Sequence, residues 1–358
     1  MDAVAREFAE RIRDAAGRGQ ALRLRGGGSK DFYGGPPAGE VFDTRAFAGI
    51  VAYEPTELVI TARCGTPLGD LEAALAQSRQ MLAFEPPHFA AGATLGGCVA
   101  AGLSGPRRAS AGALRDFVLG VRILDGRGRD LSFGGQVMKN VAGYDLSRLV
   151  AGSLGTLGLV LQASLKVLPQ PACELTLQLE MPEERAIDAL NRWAGQPLPV
   201  SASAWHDGDL GVRLSGASSA VQGAAQKLGG ERLDDARAAA FWRGLREQTN
   251  PFFAGDAPLW RLSVPSHAPR IELPGAQATG PMIEWGGALR WFRTRAEAAG
   301  VRAAAARAGG HATLFRGAQR SAGALAALPP ELARLHRGLK AVFDPAGVLN
   351  PGRMYAEF

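Results

Sequence analysis

Cysteine is scarce in this chain of 358 residues: Cys64, Cys98 and Cys173 stand far apart and no CxxC pair occurs. That excludes a disulfide framework and a cysteine-ligated iron–sulfur site, and leaves three reduced thiols expected to be buried. Lysine is scarcer than a net charge of +6 suggests. Lys30, Lys139, Lys166, Lys227 and Lys340 are the five lysines among 40 basic residues, and the arginines form no run longer than pairs such as Arg107 and Arg108. Nucleic-acid binding needs basic residues clustered on one face, so no nucleic acid is expected as a partner. The dispersed charge reads as a solvated surface, with a subunit-docking face as the second reading. Long apolar runs are missing too. None approaches the roughly 18 uninterrupted residues a membrane span requires, so no transmembrane segment is expected. The N-terminus MDAVAREFAERIRDAAGRG is charged throughout and places Val4, Phe8 and Ile12 at i, i+4 and i+8. That is an amphipathic helix rather than a secretory leader, and the expected location is cytoplasmic. Two common nucleotide motifs are absent as well. Gly152, Gly155 and Gly158 form GxxGxxG rather than GxGxxG, and Lys30 follows Ser29 rather than the glycine of a P-loop.

What the chain has in quantity is glycine, 47 residues of it, within a globular balance of 46% hydrophobic and 21% charged residues that suits about two domains. In RLRGGGSKDFYGG, the glycines Gly26, Gly27 and Gly28 follow ALRLR, which reads as a strand, and precede Ser29 and Lys30. A backbone this bare is either a sharp turn or a bed for phosphate. IVAYEPTELVITARCG then reads as two strands about Glu54-Pro55. Thr66 and Pro67 read as the N-cap and first helical position of a helix that buries Leu68, Leu71 and Leu75 and ends near Arg79. Residues 117–124 and 129–133 read as a hairpin turning at Asp125-Gly126. Around it lie glycine clusters at residues 92–105, 134–135 and 152–158. Each cluster alone is compatible with tight turns. Together with the first loop they point to a long, flat, phosphate-bearing ligand held by distributed loops.

The motifs RGGGSK, GATLGG, RDFVLG, KNVAGYDLSRL, GSLGTLG and DPAGVLNPGR, in this order, resemble the FAD-binding domain of the vanillyl-alcohol oxidase and p-cresol methylhydroxylase (PCMH) superfamily. Within it the nearest likeness is to the small FAD-binding subunits of bacterial glycolate oxidase, also called glycolate dehydrogenase. The resemblance covers essentially the whole chain and is densest over residues 84–171. It implies an α+β fold: a PCMH-type, two-subdomain FAD-binding domain over residues 1–171, a reduced α+β cap or substrate-type domain over 172–317, and a C-terminal helical segment, 318–358, that returns to the FAD domain.

The resemblance also implies a non-covalent FAD, because the first loop holds no histidine to link it. Arg25, Gly26, Gly27, Gly28 and Ser29 are expected to offer main-chain amides to the diphosphate, with Lys30 as a nearby positive charge. Gly92, Ala93, Thr94, Leu95, Gly96 and Gly97 are expected along the diphosphate, ribitol and ring edge, with Ser104 and Gly105 close by. Gly155, Thr156, Gly158, Leu159 and Val160 resemble the part that shelters adenosine, and Asn350 a C-terminal residue that approaches the flavin ring.

Catalytic residues are not assigned. Relatives that oxidise 2-hydroxy acids resemble one another in a histidine-rich, acidic metal motif, where a divalent ion and an arginine hold the carboxylate while a histidine takes the hydroxyl proton. This chain offers GGHATLFRG about His311, with no second histidine at ligand spacing; His206, His267 and His336 are scattered. No metal is expected, although Arg316 is suited to an anion. His88, in PPHFAAG, reads as a loop histidine packed on Pro86 and Pro87, with a base or flavin linkage as the lesser reading. Trp285 and Trp291 are expected inside the smaller domain, where LTLQLEM and AWHDGDLGVRL read as strands and PEERAIDALNRWA and ARAAAFWRGLREQ as helices.

The function implied is that of an FAD-binding subunit of a glycolate oxidase complex, which converts glycolate or a related 2-hydroxy acid to its keto product, here glyoxylate. The subunit would relay electrons or support assembly. Its implied partners are a larger catalytic FAD subunit and an iron–sulfur subunit, with peripheral attachment at the inner membrane through the complex. Two alternatives stand beside this reading: a self-sufficient FAD-dependent 2-hydroxy-acid dehydrogenase of the D-lactate type, and a structural subunit with a vestigial flavin pocket.

Overall fold

The computed structural model describes residues 2–135, 145–273, 275, 280–317 and 323–357. Residues 139–144 of the KNVAGYDLSRL motif lie outside the described residues. The chain divides into two compact units, one made of Met1–Leu103, Ala113–Pro169 and Ala327–Phe358, the other of Ser104–Gly112 and Gln170–Ala326.

In the first unit the opening helix is Ala3–Arg18. Asp2 caps it by accepting from the Val4 N–H at 3.0 Å, and Gly19, at φ 62°, closes it in the left-handed conformation. The buried stripe is Ala5, Phe8, Ala9, Ile12 and Ala15, with Val4 at its margin, because Phe8 sets the face by packing edge-on against Phe42 at 5.0 Å and Phe47 at 6.3 Å. The strand Leu22–Arg25 follows and pairs in parallel with Glu40–Asp43, Leu22 opposite Glu40. The first glycine loop lies between them.

A five-stranded antiparallel sheet supports this corner, in the order Ile50–Glu54, Val59–Arg63, Leu159–Lys166, Val118–Leu124, Asp130–Gly134. The expected hairpin is present but starts at Val118, since Phe117 ends the short helix Leu114–Phe117. The helix after Cys64 runs from Leu68 to Gln77, one residue later than expected, with Pro67 as its N-cap. Thr66 does not cap it: its hydroxyl accepts from the Gly49 N–H at 2.9 Å and donates to the Arg63 carbonyl at 2.7 Å, tying two loops together.

The second unit is an eight-stranded sheet, antiparallel at every pairing, whose central strands include Val200–His206, Asp209–Gly216 and Leu289–Arg293. Leu175 and Leu177, then Leu210, Val212 and Leu214, alternate to one face and pack with Ile187 and Leu190 of helix Glu183–Ala194 and Val221 of helix Ser218–Leu228. Trp260, Leu262, Phe292 and Leu314 continue that face against Val301 and Ala305 of helix Ala298–Arg307. AWHDGDLGVRL is a tight hairpin rather than one strand, because Asp207 and Gly208 both take positive φ. The fold class is α+β.

Candidate functional site

The loop after Arg25 is fixed from below. Arg23 Nη2 and Arg25 Nε both meet Asp31 Oδ2, at 2.5 and 2.8 Å, so the carboxylate closes the loop across its base. Asp31 N–H returns to the Gly28 carbonyl at 3.0 Å, and Gly28 sits at φ 73°. Among the described residues the main-chain N–H groups of Gly26, Gly27, Gly28 and Ser29 donate no hydrogen bond within the protein. Four consecutive unspent donors on a bare backbone form a concavity suited to an anion. Lys30 stands at its rim, Nζ 3.4 Å from Ser29 Oγ, 3.4 Å from the His88 carbonyl and 5.6 Å from the centre of the Phe89 ring.

The glycines are required by what faces them. A Cβ at Gly27 would run into the Gly92 carbonyl, and one at Gly26 into the Thr94 hydroxyl. The first loop and the GATLGG loop are thus in backbone contact. Thr94 caps helix Leu95–Ala101 by accepting from the Gly97 N–H at 3.3 Å. Leu95 N–H donates to the Thr66 carbonyl at 2.9 Å and Gly96 N–H to the Cys64 carbonyl at 2.8 Å. Ala93 N–H likewise donates to the Ala90 carbonyl at 3.2 Å, so the amides of Ala93, Leu95, Gly96 and Gly97 are committed inside the protein.

The C-terminal segment closes the site from the far end of the sequence. Asn350, at φ 45°, accepts from the Leu24 N–H on Oδ1 at 2.7 Å and donates from Nδ2 to the Leu154 carbonyl at 2.7 Å. It clasps the first strand to the GSLGTLG turn, and a Cβ at Gly155 would abut its Nδ2. Lys340 Nζ, buried, donates to Asp344 Oδ2 at 2.7 Å, Leu349 O at 2.8 Å and Thr156 O at 2.9 Å, which uses all three of its protons. Arg353 grips the carbonyls of Tyr33 and Gly35, and that of Asp31 at 3.3 Å.

These parts bound an open cleft of about 850 Å³, continuous with solvent. Of the residues expected at the cofactor, Arg25, Gly26, Gly27, Gly28, Ser29, Lys30, Thr94, Gly96, Gly97, Gly155, Gly158, Leu159, Val160 and Asn350 line it. Gly92, Ala93, Leu95 and Thr156 do not. Gly92 backs Gly27, Ala93 and Leu95 are buried in the packing, and the Thr156 hydroxyl donates to the Ser153 carbonyl at 2.8 Å. Ser104 and Gly105 belong to the second unit, where the Gly105 carbonyl accepts from Trp285 Nε1 at 3.1 Å. Asn350 lines the cleft with both polar groups of its side chain engaged by main chain, so its part there is to hold the loops.

Asp31, Thr44, Cys64, Leu154 and Arg353 also line the cleft and were not singled out from the sequence. Asp31 and Arg353 had a signal, an acidic residue directly after Lys30 and the arginine of NPGR. Cys64 had none, being brought there by tertiary packing alone. Burial pushes its thiol, and that of Cys98, up to about 12, which keeps both as inert thiols. The imidazole of His88 is turned to Glu72, with Nε2 3.2 Å from Oε1. In the second unit His311 begins the edge strand His311–Arg316 in an exposed position. Arg316 Nε donates to Gln248 Oε1 at 3.0 Å, and burial lowers its pKa to about 10. Trp285 and Trp291 are buried, the latter donating to Glu284 Oε1 at 2.7 Å. Among the described residues no three His, Cys, Asp or Glu side chains converge as a metal site would need, and no helix is long and apolar enough to cross a membrane.

Comparison with known proteins agrees with this geometry. Residues 4–134 match the family described as FAD binding domain. The chain is 49% identical over 348 residues to the glycolate oxidase subunit GlcE of Escherichia coli strain K12, covering 97% of this chain and 96% of that protein. It is 42% identical over 84 residues to the glycolate oxidase subunit GlcD of Bacillus subtilis strain 168, covering 24% of this chain and 18% of that one. Among solved structures an alkyldihydroxyacetonephosphate synthase superposes with a TM-score of 0.67 at 14% identity, over 96% of this chain and 75% of that chain, which is a likeness of fold. The chain belongs to the family of the glycolate oxidase subunit GlcE, among the FAD-binding oxidoreductases of the PCMH-type fold.

Proposed function

We propose that this chain is the FAD-holding subunit of a glycolate oxidase, acting on glycolate or a related 2-hydroxy acid together with a larger catalytic flavoprotein and an iron–sulfur subunit. The observation that carries the cofactor half of this reading is the row of unspent amides from Gly26 to Ser29 in a cleft walled by Thr94, Gly96, Gly97 and Val160. Main-chain donors of this kind hold a diphosphate without any side chain between ligand and backbone. Arg25 and Lys30 add positive charge at the rim, and Leu154, Leu159 and Val160 supply apolar wall for a flat ring system. Bound FAD supplies a two-electron acceptor that can release electrons singly. The chain's own residues bind and orient it. Proton abstraction from the hydroxy acid is assigned to the larger subunit, since His311, the one histidine in a GGHATLFRG-like setting, stands on an exposed edge strand. The kinship with GlcE supplies the substrate class and the multi-subunit setting.

The test is the visible spectrum of the chain purified alone and loaded with FAD, before and after anaerobic glycolate. A bound flavin that stays oxidised until the larger subunit is added is expected. Bleaching by glycolate in the lone chain would convert the reading to a self-sufficient dehydrogenase. Absence of any retained flavin in excess FAD would sink it in favour of a vestigial pocket.

A further inference from the structure

The Arg25 guanidinium has one nitrogen held and two idle. Nε donates to Asp31 Oδ2 at 2.8 Å, whereas among the described residues Nη1 and Nη2 donate no hydrogen bond within the protein. A guanidinium is planar and stiff, so fixing its Nε–H also fixes the direction of the fork formed by Nη1 and Nη2. The neighbouring glycine shows where the group lies. A Cβ at Gly28 would run into Nη2, Cζ and Nε of Arg25, so the guanidinium fills the place of the missing side chain, beside the unspent Gly28 amide. Arg23, Arg25, Gly28 and Asp31 line the same cleft.

Asp31 is itself tied on every side. Its N–H donates to the Gly28 carbonyl at 3.0 Å, its own carbonyl accepts from Arg353 Nη1 at 3.3 Å, and Oδ2 accepts from Arg23 Nη2 at 2.5 Å as well as from Arg25. From this we infer that Asp31 is a positioning residue for the cofactor: it presets the fork of Arg25 as a pair of donors to the diphosphate on the Gly26–Ser29 amides, while Arg23 balances the charge that Asp31 brings there. The inference rests on the FAD-binding reading above. A carboxylate beside an anion site is otherwise a liability, because like charges repel. Here two guanidiniums share one carboxylate oxygen and leave positive charge in excess. What the acid contributes is order. A loose arginine gives up rotamer freedom when it grips a phosphate, and one already held gives up less.

The experiment titrates the full-length apoprotein with FAD, followed by flavin fluorescence, for wild type, Asp31→Ala, Arg25→Met, the double variant and Arg25→Lys. The melting temperature of each apoprotein checks folding. Charge alone predicts tighter FAD binding by Asp31→Ala, since an anion has left the site, and positioning predicts the reverse. A Kd about tenfold higher is expected for Asp31→Ala, the scale of one hydrogen bond to a charged group. Arg25→Met should weaken binding at least as much. In the Arg25→Met background Asp31→Ala should cost nothing further, because Asp31 acts through Arg25. Arg25→Lys keeps the charge but loses the fork, and about tenfold weaker binding is expected there too. Unchanged or tighter binding by Asp31→Ala overturns the inference. Losses that multiply in the double variant also overturn it, since they would make Asp31 a support of the loop independent of Arg25. Wild-type affinity in Arg25→Lys overturns it whether or not Asp31→Ala folds. A wild-type chain that binds no FAD refutes the cofactor reading itself, so the two failures are separable.

Discussion

Gly27 shows how a single residue type can be fixed by its neighbour rather than by its own conformation. Its obstacle is the Gly92 carbonyl, a backbone atom that cannot rotate away. Gly27→Ala must therefore part the two loops and misalign the amide row. A fall in retained flavin of about tenfold is expected, equivalent to about 1.4 kcal/mol, measured by titrating the apoprotein with FAD. Lys340 makes the complementary case for charge. Its ammonium and Asp344 are both buried, and three acceptors surround the one donor. Lys340→Met leaves the Asp344 carboxylate without its counter-ion, with an expected loss of about 3–5 kcal/mol in urea unfolding. Met at that position keeps the length of the side chain, so the loss reports charge rather than a cavity. An undiminished unfolding midpoint would show that Asp344 is held adequately by the Val348 and Leu349 amides, which it accepts at 3.2 and 2.7 Å.

At the level of elements, helix Leu95–Ala101 depends on its cap because only seven residues follow Thr94. Thr94→Ala removes the acceptor for Gly97 and the side chain that faces Gly26. The expected cost is about 1 kcal/mol in thermal unfolding, with most of it restored by Thr94→Ser. The elements read from the chain were those whose periodicity and turn chemistry are local. The stripe of Phe8 and Ile12, the Glu54-Pro55 turn and the Asp125-Gly126 hairpin all follow from spacing alone. The first glycine loop was equally legible, since three bare residues between a strand and Ser29-Lys30 have few uses. Less legible was the division of labour between loops. Nothing local shows that the amides of Leu95 and Gly96 are taken by Thr66 and Cys64 while those of Gly26 to Ser29 are not. Cys64 and Arg353 reach the cleft through pairings hundreds of residues apart or through a neighbouring strand, and a one-dimensional pattern carries no trace of them. Thr66 was misread for a related reason: its hydroxyl is claimed by the Gly49 loop, a tertiary partner that outbids the helix terminus.

Across the whole molecule, the segment Ser104–Gly112 is spatially part of the second unit although its flanks belong to the first. Its anchor is electrostatic: Arg107 Nη2 meets Glu174 Oε2 at 2.7 Å, and the same oxygen accepts from Ser215 Oγ at 2.6 Å. Burial works to raise the Glu174 pKa, but Arg213, Ser215 and Arg107 together outweigh it and hold the carboxyl below its ordinary value of 4.5. A group whose folded pKa is depressed stabilises above the unfolded value and loses that contribution as pH falls through the folded one. Glu174→Gln is therefore expected to lower the melting temperature at neutral pH, with the gap to wild type narrowing below about pH 4.5. A gap that stayed constant into acid would assign the effect to shape instead of charge. The clasp formed by Asn350 has a different kind of consequence, one of timing. Leu22 and Leu24, near the start of the chain, take their bonds from Val348 and Asn350, near its end. During synthesis the first strand must wait on the ribosome until almost every later residue has been made, while the intervening unit has all its parts at hand sooner. Closure of the cofactor bed therefore follows the synthesis of Asn350, and a nascent chain cut short before that residue lacks the clasp.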